Sequence, residues 1–82
     1  MGKQEKLLQL ILSGRADANI EFDELRRLLT RLGFEQRIKG SHHMFRISGI
    51  EEKINLQRSG SQAKPYQVKQ VRDVIVKYKL AE

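Results

Sequence analysis

Apolar residues recur at helical spacing in two stretches near the start of the chain. The first stretch predicts a helix over residues 3–13, with apolar positions at Leu7, Leu8, Ile11 and Leu12. The second predicts a strongly amphipathic helix, with apolar positions at Phe22, Leu25, Leu28, Leu29 and Leu32. Gly33 follows the last of these positions, and glycine is the usual residue just beyond a helix end. We therefore expect two consecutive helices joined by a short loop.

The hydrophobic period changes from about 3.6 residues to 2 after the second helix, which is typical of β-strands. Alternating positions predict three strands, over residues 34–39, over 42–47 and over roughly 53–58. In the first strand, Phe34, Gln36 and Ile38 share one face. The Gly40-Ser41 pair supplies the turn into the second strand. Three short strands with tight connections predict an antiparallel meander.

The C-terminal part predicts a flexible connection over residues 59–63 and then a third helix. Pro65 suits the first turn of that helix, and its apolar stripe comprises Val68, Val71, Val74, Ile75 and Tyr78. The predicted order is α-α-β-β-β-α in a single domain over residues 1–82. Because the helices and the sheet must bury their apolar faces against each other, we expect an α+β fold. It would be a two-layer sandwich, a three-stranded antiparallel sheet packed by helices on one face and open on the other.

Composition narrows the classes of function. The chain has no cysteine, which excludes disulfides, thiolate zinc sites and a cysteine nucleophile. No apolar run approaches the roughly 20 residues that span a bilayer, and the N-terminus lacks a secretory signal, so we expect a cytoplasmic protein without a membrane partner. The net charge is +6, and residues 34–82 carry ten basic against five acidic side chains. This excess is either an ordinary solvated surface or, as we favour, a phosphate-binding face for nucleic acid.

The only two histidines of the chain are adjacent, in the segment Gly40-Ser41-His42-His43. Histidine exchanges protons near neutral pH, so these two residues are the candidate catalytic groups. In RNA cleavage without a metal, the nucleophile is the 2′-hydroxyl of the RNA itself. The protein supplies a proton acceptor, a proton donor and cations for the phosphate.

Strand alternation predicts different roles for the two histidines. If Phe45 points to the core, His43 points the same way and His42 reaches the open face, beside Arg46 and near Lys39 across the turn. The alternative is a polar turn in which His43 only caps the edge of the sheet. A metal site is disfavoured, because adjacent residues on a strand point apart and the chain has no further His or Cys.

Basic residues also gather at the start of the last helix. Lys64 and Lys69 flank its N-terminus, where unpaired N–H groups favour anions, and Arg72 lies about a turn beyond Lys69; Lys53 and Arg58 precede them. These residues predict a clamp for RNA phosphates, with ordinary solubilising charge as the alternative. The three phenylalanines fall on apolar stripes and are expected in the core. That leaves no exposed aromatic platform for bases, so we expect recognition by shape and backbone.

Three segments, LLTRLGF (28–34), KGSHHMFR (39–46) and KPYQVKQVR (64–72), resemble the HicA family of toxins. The similarity covers roughly residues 20–80, and the glycine-serine-histidine turn is its most specific element. HicA proteins are small mRNA interferases of bacterial and archaeal toxin–antitoxin pairs, with a fold like the double-stranded RNA-binding domain. The resemblance implies two partners, mRNA and a HicB-type antitoxin, with no metal and no small-molecule cofactor.

The resemblance also implies site residues. The family's catalytic histidine follows the glycine-serine pair, which corresponds to His42, and His43 is the alternative because some members place the histidine one residue later. The placement of the basic residues around the turn and the last helix, with Lys64 and Lys69 also in the region where the double-stranded RNA-binding domain contacts phosphates, gives the full set of expected RNA-binding residues: Lys39, Ser41, Arg46, Lys64, Lys69 and Arg72. The chain departs from the family in two places: Leu56-Gln57-Arg58-Ser59 replaces a common Pro-x-His element, and the helix over 3–13 is additional. Three hypotheses follow: a toxin-type endoribonuclease that cleaves mRNA, a non-catalytic RNA-binding module, and a protein whose relevant partner is chiefly an antitoxin with an acidic surface that covers the same basic face.

Overall fold

The computed structural model describes residues 3–80, which form three α-helices and five short strands. Residues 1–2 and 81–82 of the predicted single domain lie outside the described residues. In chain order the elements are α1 (Lys3–Ser13), a 3-10 turn (Asp17–Asn19), α2 (Phe22–Arg31), β1 (Glu35–Lys39), β2 (His42–Arg46), β3 (Ile54–Leu56), β4 (Arg58–Ser59), β5 (Gln62–Ala63) and α3 (Pro65–Lys77). None of the helices among residues 3–80 combines the length and the apolar character that a bilayer-spanning segment requires.

Strands β1, β2 and β3 form an antiparallel sheet in that order. The turn between β1 and β2 is Gly40-Ser41, so that Lys39 pairs directly with His42. Gly40 has φ +61°, a left-handed conformation that glycine adopts without steric cost, which explains why the hairpin turns there. The predicted α+β fold is confirmed at this level: three helices and a three-stranded antiparallel sheet in the order α-α-β-β-β-α.

The core lies between the helices and one face of the sheet. Directly paired residues share a face, so Phe45 and Ile54 point together toward the helices, where both are fully buried. The helices contribute most of the other large, fully buried side chains, among them Ile11, Phe22, Leu25, Leu29, Val68 and Val71. Because α1 supplies Ile11, the additional N-terminal helix is part of the same core. Ile38 lies on this side of the sheet as predicted, but it is 55% exposed at the end of the edge strand.

The predicted flexible connection over residues 59–63 is wrong. In its place, β4 and β5 form a small hairpin around Gly60, which has φ +65°. Backbone hydrogen bonds attach this hairpin to the start of α2: the Phe22 N–H donates to the Ser61 carbonyl at 3.0 Å, and the Ala63 N–H donates to the Ile20 carbonyl at 2.8 Å. The third strand of the sheet is also shorter than predicted, since it ends at Leu56.

Candidate nucleic-acid interface

The two histidines occupy opposite faces of β2, as strand alternation predicts. His42 is exposed on the open face of the sheet, directly opposite Lys39. His43 points toward the helices and is 8% exposed. Within residues 3–80 no hydrogen bond or ion pair engages the His42 ring, so its nitrogens are open to a ligand.

Unpaired cations surround the open face of the sheet. Register places Arg37, Lys39 and Arg46 on this face, and Lys53 joins them along a shallow groove of about 470 Å³ beside Met44. The groove also holds the single carboxylate Glu35. In the described part of the chain, none of the four cations forms an ion pair. The sequence predicts Lys39 and Arg46 on this face. Arg37 was missed, although its alternation with Gln36 and Ile38 indicates that it lies on the face opposite to theirs.

A chain of polar side chains connects the Gly40-Ser41 turn to the start of α3. Lys64, which caps the N-terminus of α3, donates from Nζ to Gln57 Oε1 at 3.3 Å. Gln57 Nε2 in turn donates to Ser41 Oγ at 3.4 Å. The Gln57 backbone N–H donates to Gln67 Oε1 on the first turn of α3, at 3.0 Å. Ser41 and Lys64, both predicted site residues, therefore lie at the same end of the molecule as His42.

His43 is held by contacts on the helical side of the sheet. Its Nδ1 lies 3.1 Å from Gln36 Oε1, an acceptor, so this hydrogen bond forms when Nδ1 carries the proton. The ring meets Phe22 edge to face, with centroids 4.9 Å apart. Burial lowers the pKa of His43, and the positive charges of Arg26 and Arg58 lower that pKa further. His43 is therefore a packed side chain with little access to solvent, and its surroundings favour the neutral form of the ring.

Arg58 and Arg26 form a cluster beside His43 that sequence reasoning missed. Both guanidinium groups bind Asp23 Oδ1, Arg58 at 2.7 Å and Arg26 at 3.1 Å. Arg58 also lies over the Phe22 ring, 4.7 Å from its centroid. The hydrogen bond from Arg58, followed by that from Arg26, lowers the pKa of Asp23. The sequence predicts Arg58 in the phosphate clamp, but in the fold it shares the carboxylate of Asp23 with Arg26, a pairing that no local sequence signal reveals across 35 positions.

The structure does not bring Arg72 to the candidate site. Its Nη1 donates to Asp17 Oδ1 at 2.8 Å and to the Ile11 carbonyl at 3.2 Å, so it joins α3 to α1 and the 3-10 turn. Lys69, in contrast, is exposed and lines a groove of about 360 Å³ together with Tyr66.

The expectation that no aromatic side chain is exposed is wrong for one residue. Phe22, Phe34 and Phe45 are buried as predicted, with 0%, 3% and 0% exposure. Tyr66, however, is 64% exposed on the first turn of α3. Its position one residue after Pro65 places it off the apolar stripe, which is the signal that sequence reasoning overlooked.

Two further observations concern possible metal ligands and similarity to known proteins. Among residues 3–80, no group of three or more His, Cys, Asp or Glu side chains is placed to hold a metal ion. In comparisons with family models, with curated proteins and with solved structures, nothing matches the chain.

Proposed function

We propose that this protein is a metal-independent endoribonuclease that cleaves mRNA, the toxin of a HicA/HicB-type toxin–antitoxin pair acting in the cytoplasm. The observation that carries the proposal is the distribution of its cations. Arg26, Arg27, Arg58, Arg72 and Lys77 are paired with carboxylates, whereas the cations of the open sheet face are unpaired. An exposed histidine stands at the end of that face, where a phosphate held by the cations would meet it.

The proposed reaction uses the RNA's own 2′-hydroxyl. His42 would accept the proton of that hydroxyl as its oxygen forms a bond to phosphorus, and the bond from phosphorus to the 5′ oxygen would break. Lys39 and Arg46 would hold the phosphate and stabilise its developing charge. The departing 5′ oxygen takes a proton from solvent or from a second acid. His43 is the alternative base, but its ring is hydrogen-bonded to Gln36 and packed on Phe22.

A fold like the double-stranded RNA-binding domain belongs to the same proposal. The order α2-β1-β2-β3-α3, with helices on one face of an antiparallel sheet, supports it. Lys64 and Lys69 at the start of α3 would then contact phosphates from the side of the helix. The HicB-type antitoxin would present an acidic surface to the unpaired cations of the open face.

One observation favours the non-catalytic alternative, an RNA-binding module. Catalytic histidines are oriented by a hydrogen bond from their second nitrogen, and no such partner engages His42 in the described part of the chain. A module that binds RNA without cutting it needs the cations but no oriented imidazole.

The test compares His42→Ala with His43→Gln in RNA binding and RNA cleavage. We expect His42→Ala to abolish cleavage while RNA binding stays within about twofold, because the cations are untouched. His43→Gln is expected to cleave, since His43 lies behind the sheet. Unaltered protein that binds RNA but never cuts it would establish the binding module instead. If expression of His42→Ala inhibits growth as strongly as expression of the unaltered chain, His42 is not the essential catalytic group.

A further inference from the structure

Tyr66 is a large aromatic side chain left in water at the basic end of α3. It is 64% exposed, and in the described part of the chain no hydrogen bond, ring contact or cation engages it. The other tyrosine, Tyr78, is half-buried, and its hydroxyl donates to Glu52 while Lys77 lies over its ring. Tyr78 therefore has a structural role, whereas nothing in the fold accounts for Tyr66.

The surroundings of Tyr66 are suited to binding a nucleotide. Lys64 precedes it by two residues and is tied to the Ser41 turn through Gln57. Lys69 follows one helical turn later and lines the same groove. Along the chain, one lysine therefore lies two residues before the ring and one lies three residues after it, and both can attract the phosphates that adjoin a base. Two carboxylates line the same groove: Glu52 is engaged by Tyr78 and Lys77, and Asp73 follows Tyr66 by about two helical turns.

We propose that Tyr66 stacks on a base of the RNA while Lys64 and Lys69 hold the adjoining phosphates, so that the substrate must be single-stranded at this point. This inference rests on the proposed RNA-binding function. A base inside a duplex is stacked on its neighbours and offers no free face, whereas an unpaired base can lie flat on a tyrosine ring. The start of α3 would then bind only single-stranded RNA, and His42 would act on the sugar-phosphate backbone next to the stacked base.

The composition of the chain gives a direct optical test. There is no tryptophan and there are two tyrosines, so a Tyr78→Phe chain has Tyr66 as its only tyrosine fluorophore. Titration with an uncleavable 2′-O-methyl single-stranded oligonucleotide should quench that fluorescence. An abasic strand of the same length should bind more weakly and leave the emission unquenched, and a perfect duplex should not quench it.

Affinity measurements on otherwise unaltered protein complete the test. Tyr66→Ala should weaken binding of the single strand by roughly 5- to 150-fold, the range for loss of one stacked base, and Tyr66→Phe should restore most of the affinity. The matched control is Val76→Ala, which removes an equally exposed apolar side chain (62%) from the far end of the same helix and should change nothing.

The outcomes separate the two proposals. Single-strand affinity that survives Tyr66→Ala, or equal quenching by the duplex, overturns the stacking role while leaving RNA cleavage open. Quenching and Tyr66-dependent binding without any cleavage support the stacking role and refute the nuclease. Failure of the unaltered chain to bind any RNA refutes both.

Discussion

The ion pair between Arg72 and Asp17 gives the sharpest test of the structure, because sequence reasoning assigned Arg72 to RNA. In the fold, Arg72 Nη1 lies 2.8 Å and 3.1 Å from the two carboxylate oxygens of Asp17 and 3.2 Å from the Ile11 carbonyl. The guanidinium also lies against Gly14, where an added Cβ would sit 3.5 Å from it. Arg72 therefore joins α3 to the end of α1 and to the 3-10 turn.

The contribution of this ion pair to the free energy of unfolding depends on how deeply the two side chains are buried. Exposed ion pairs contribute about 0.2–1 kcal/mol, whereas removing one partner of a fully buried pair costs about 3–5 kcal/mol. The side chains of Arg72 and Asp17 retain 19% and 24% exposure. We expect Arg72→Met, which keeps the aliphatic stem, to lower the free energy of unfolding by about 2 kcal/mol. For a domain of this size that is a fall of roughly 8–16 °C in Tm.

The assay combines thermal and urea unfolding, followed by circular dichroism, with RNA binding at a temperature where every variant is folded. Arg72→Met should lose stability and keep its RNA affinity. Lys69→Met on the same helix is the matched control: Lys69 is exposed, so stability should stay within about 0.5 kcal/mol while RNA affinity falls. An Arg72→Met chain that melts like the unaltered protein but binds RNA poorly would refute the structural assignment.

Three further predictions concern the histidine, the core and the open face. Because the pKa of His43 is lowered in the fold, the unfolded chain binds more protons than the folded chain below about pH 6.5. The free energy of unfolding, measured by urea titration, should therefore fall from pH 7 to pH 5, by at most about 1.4 kcal/mol per pH unit. His43→Gln should flatten that dependence. Phe45→Ala should cost about 3–5 kcal/mol in the same titrations, since the ring is fully buried, and a loss below 1 kcal/mol would contradict the packing. Lys39→Gln and Arg46→Gln should each reduce the slope of log affinity against log salt by about 0.7 for a single strand; unchanged slopes would place the RNA elsewhere.

The elements that the sequence predicts well are those with a strong local pattern. The stripe from Phe22 to Leu29 sets α2, and a glycine with positive φ at position 40 sets the hairpin that separates His42 from His43. The β4–β5 hairpin was not predictable in this way. Its strands are only two residues long and lack an apolar alternation, and its position is fixed by hydrogen bonds to Ile20 and Phe22, some 40 residues away.

Charged side chains were the least predictable part of the site. Lys39 and Arg46 lie on the expected face, because strand alternation determines it. Arg58 and Arg72 looked equally available in the sequence, yet each is engaged by a carboxylate, Asp23 and Asp17, that only the tertiary fold brings near. A sequence shows which residues carry charge; whether a charge is compensated depends on neighbours that are distant along the chain.

The unpaired cations of the open sheet face have a consequence for the lifetime of the protein. Like charges held on a small surface repel one another, so Arg37, Lys39, Arg46 and Lys53 oppose the folded state whenever the face is empty. A bound polyanion removes that repulsion and adds its binding energy to the fold, about 2.7 kcal/mol at a concentration one hundred times Kd. If the proposed RNA binds there, we expect the empty chain to unfold more often and to be degraded sooner, so that occupancy of this face lengthens the lifetime of each molecule in a cell.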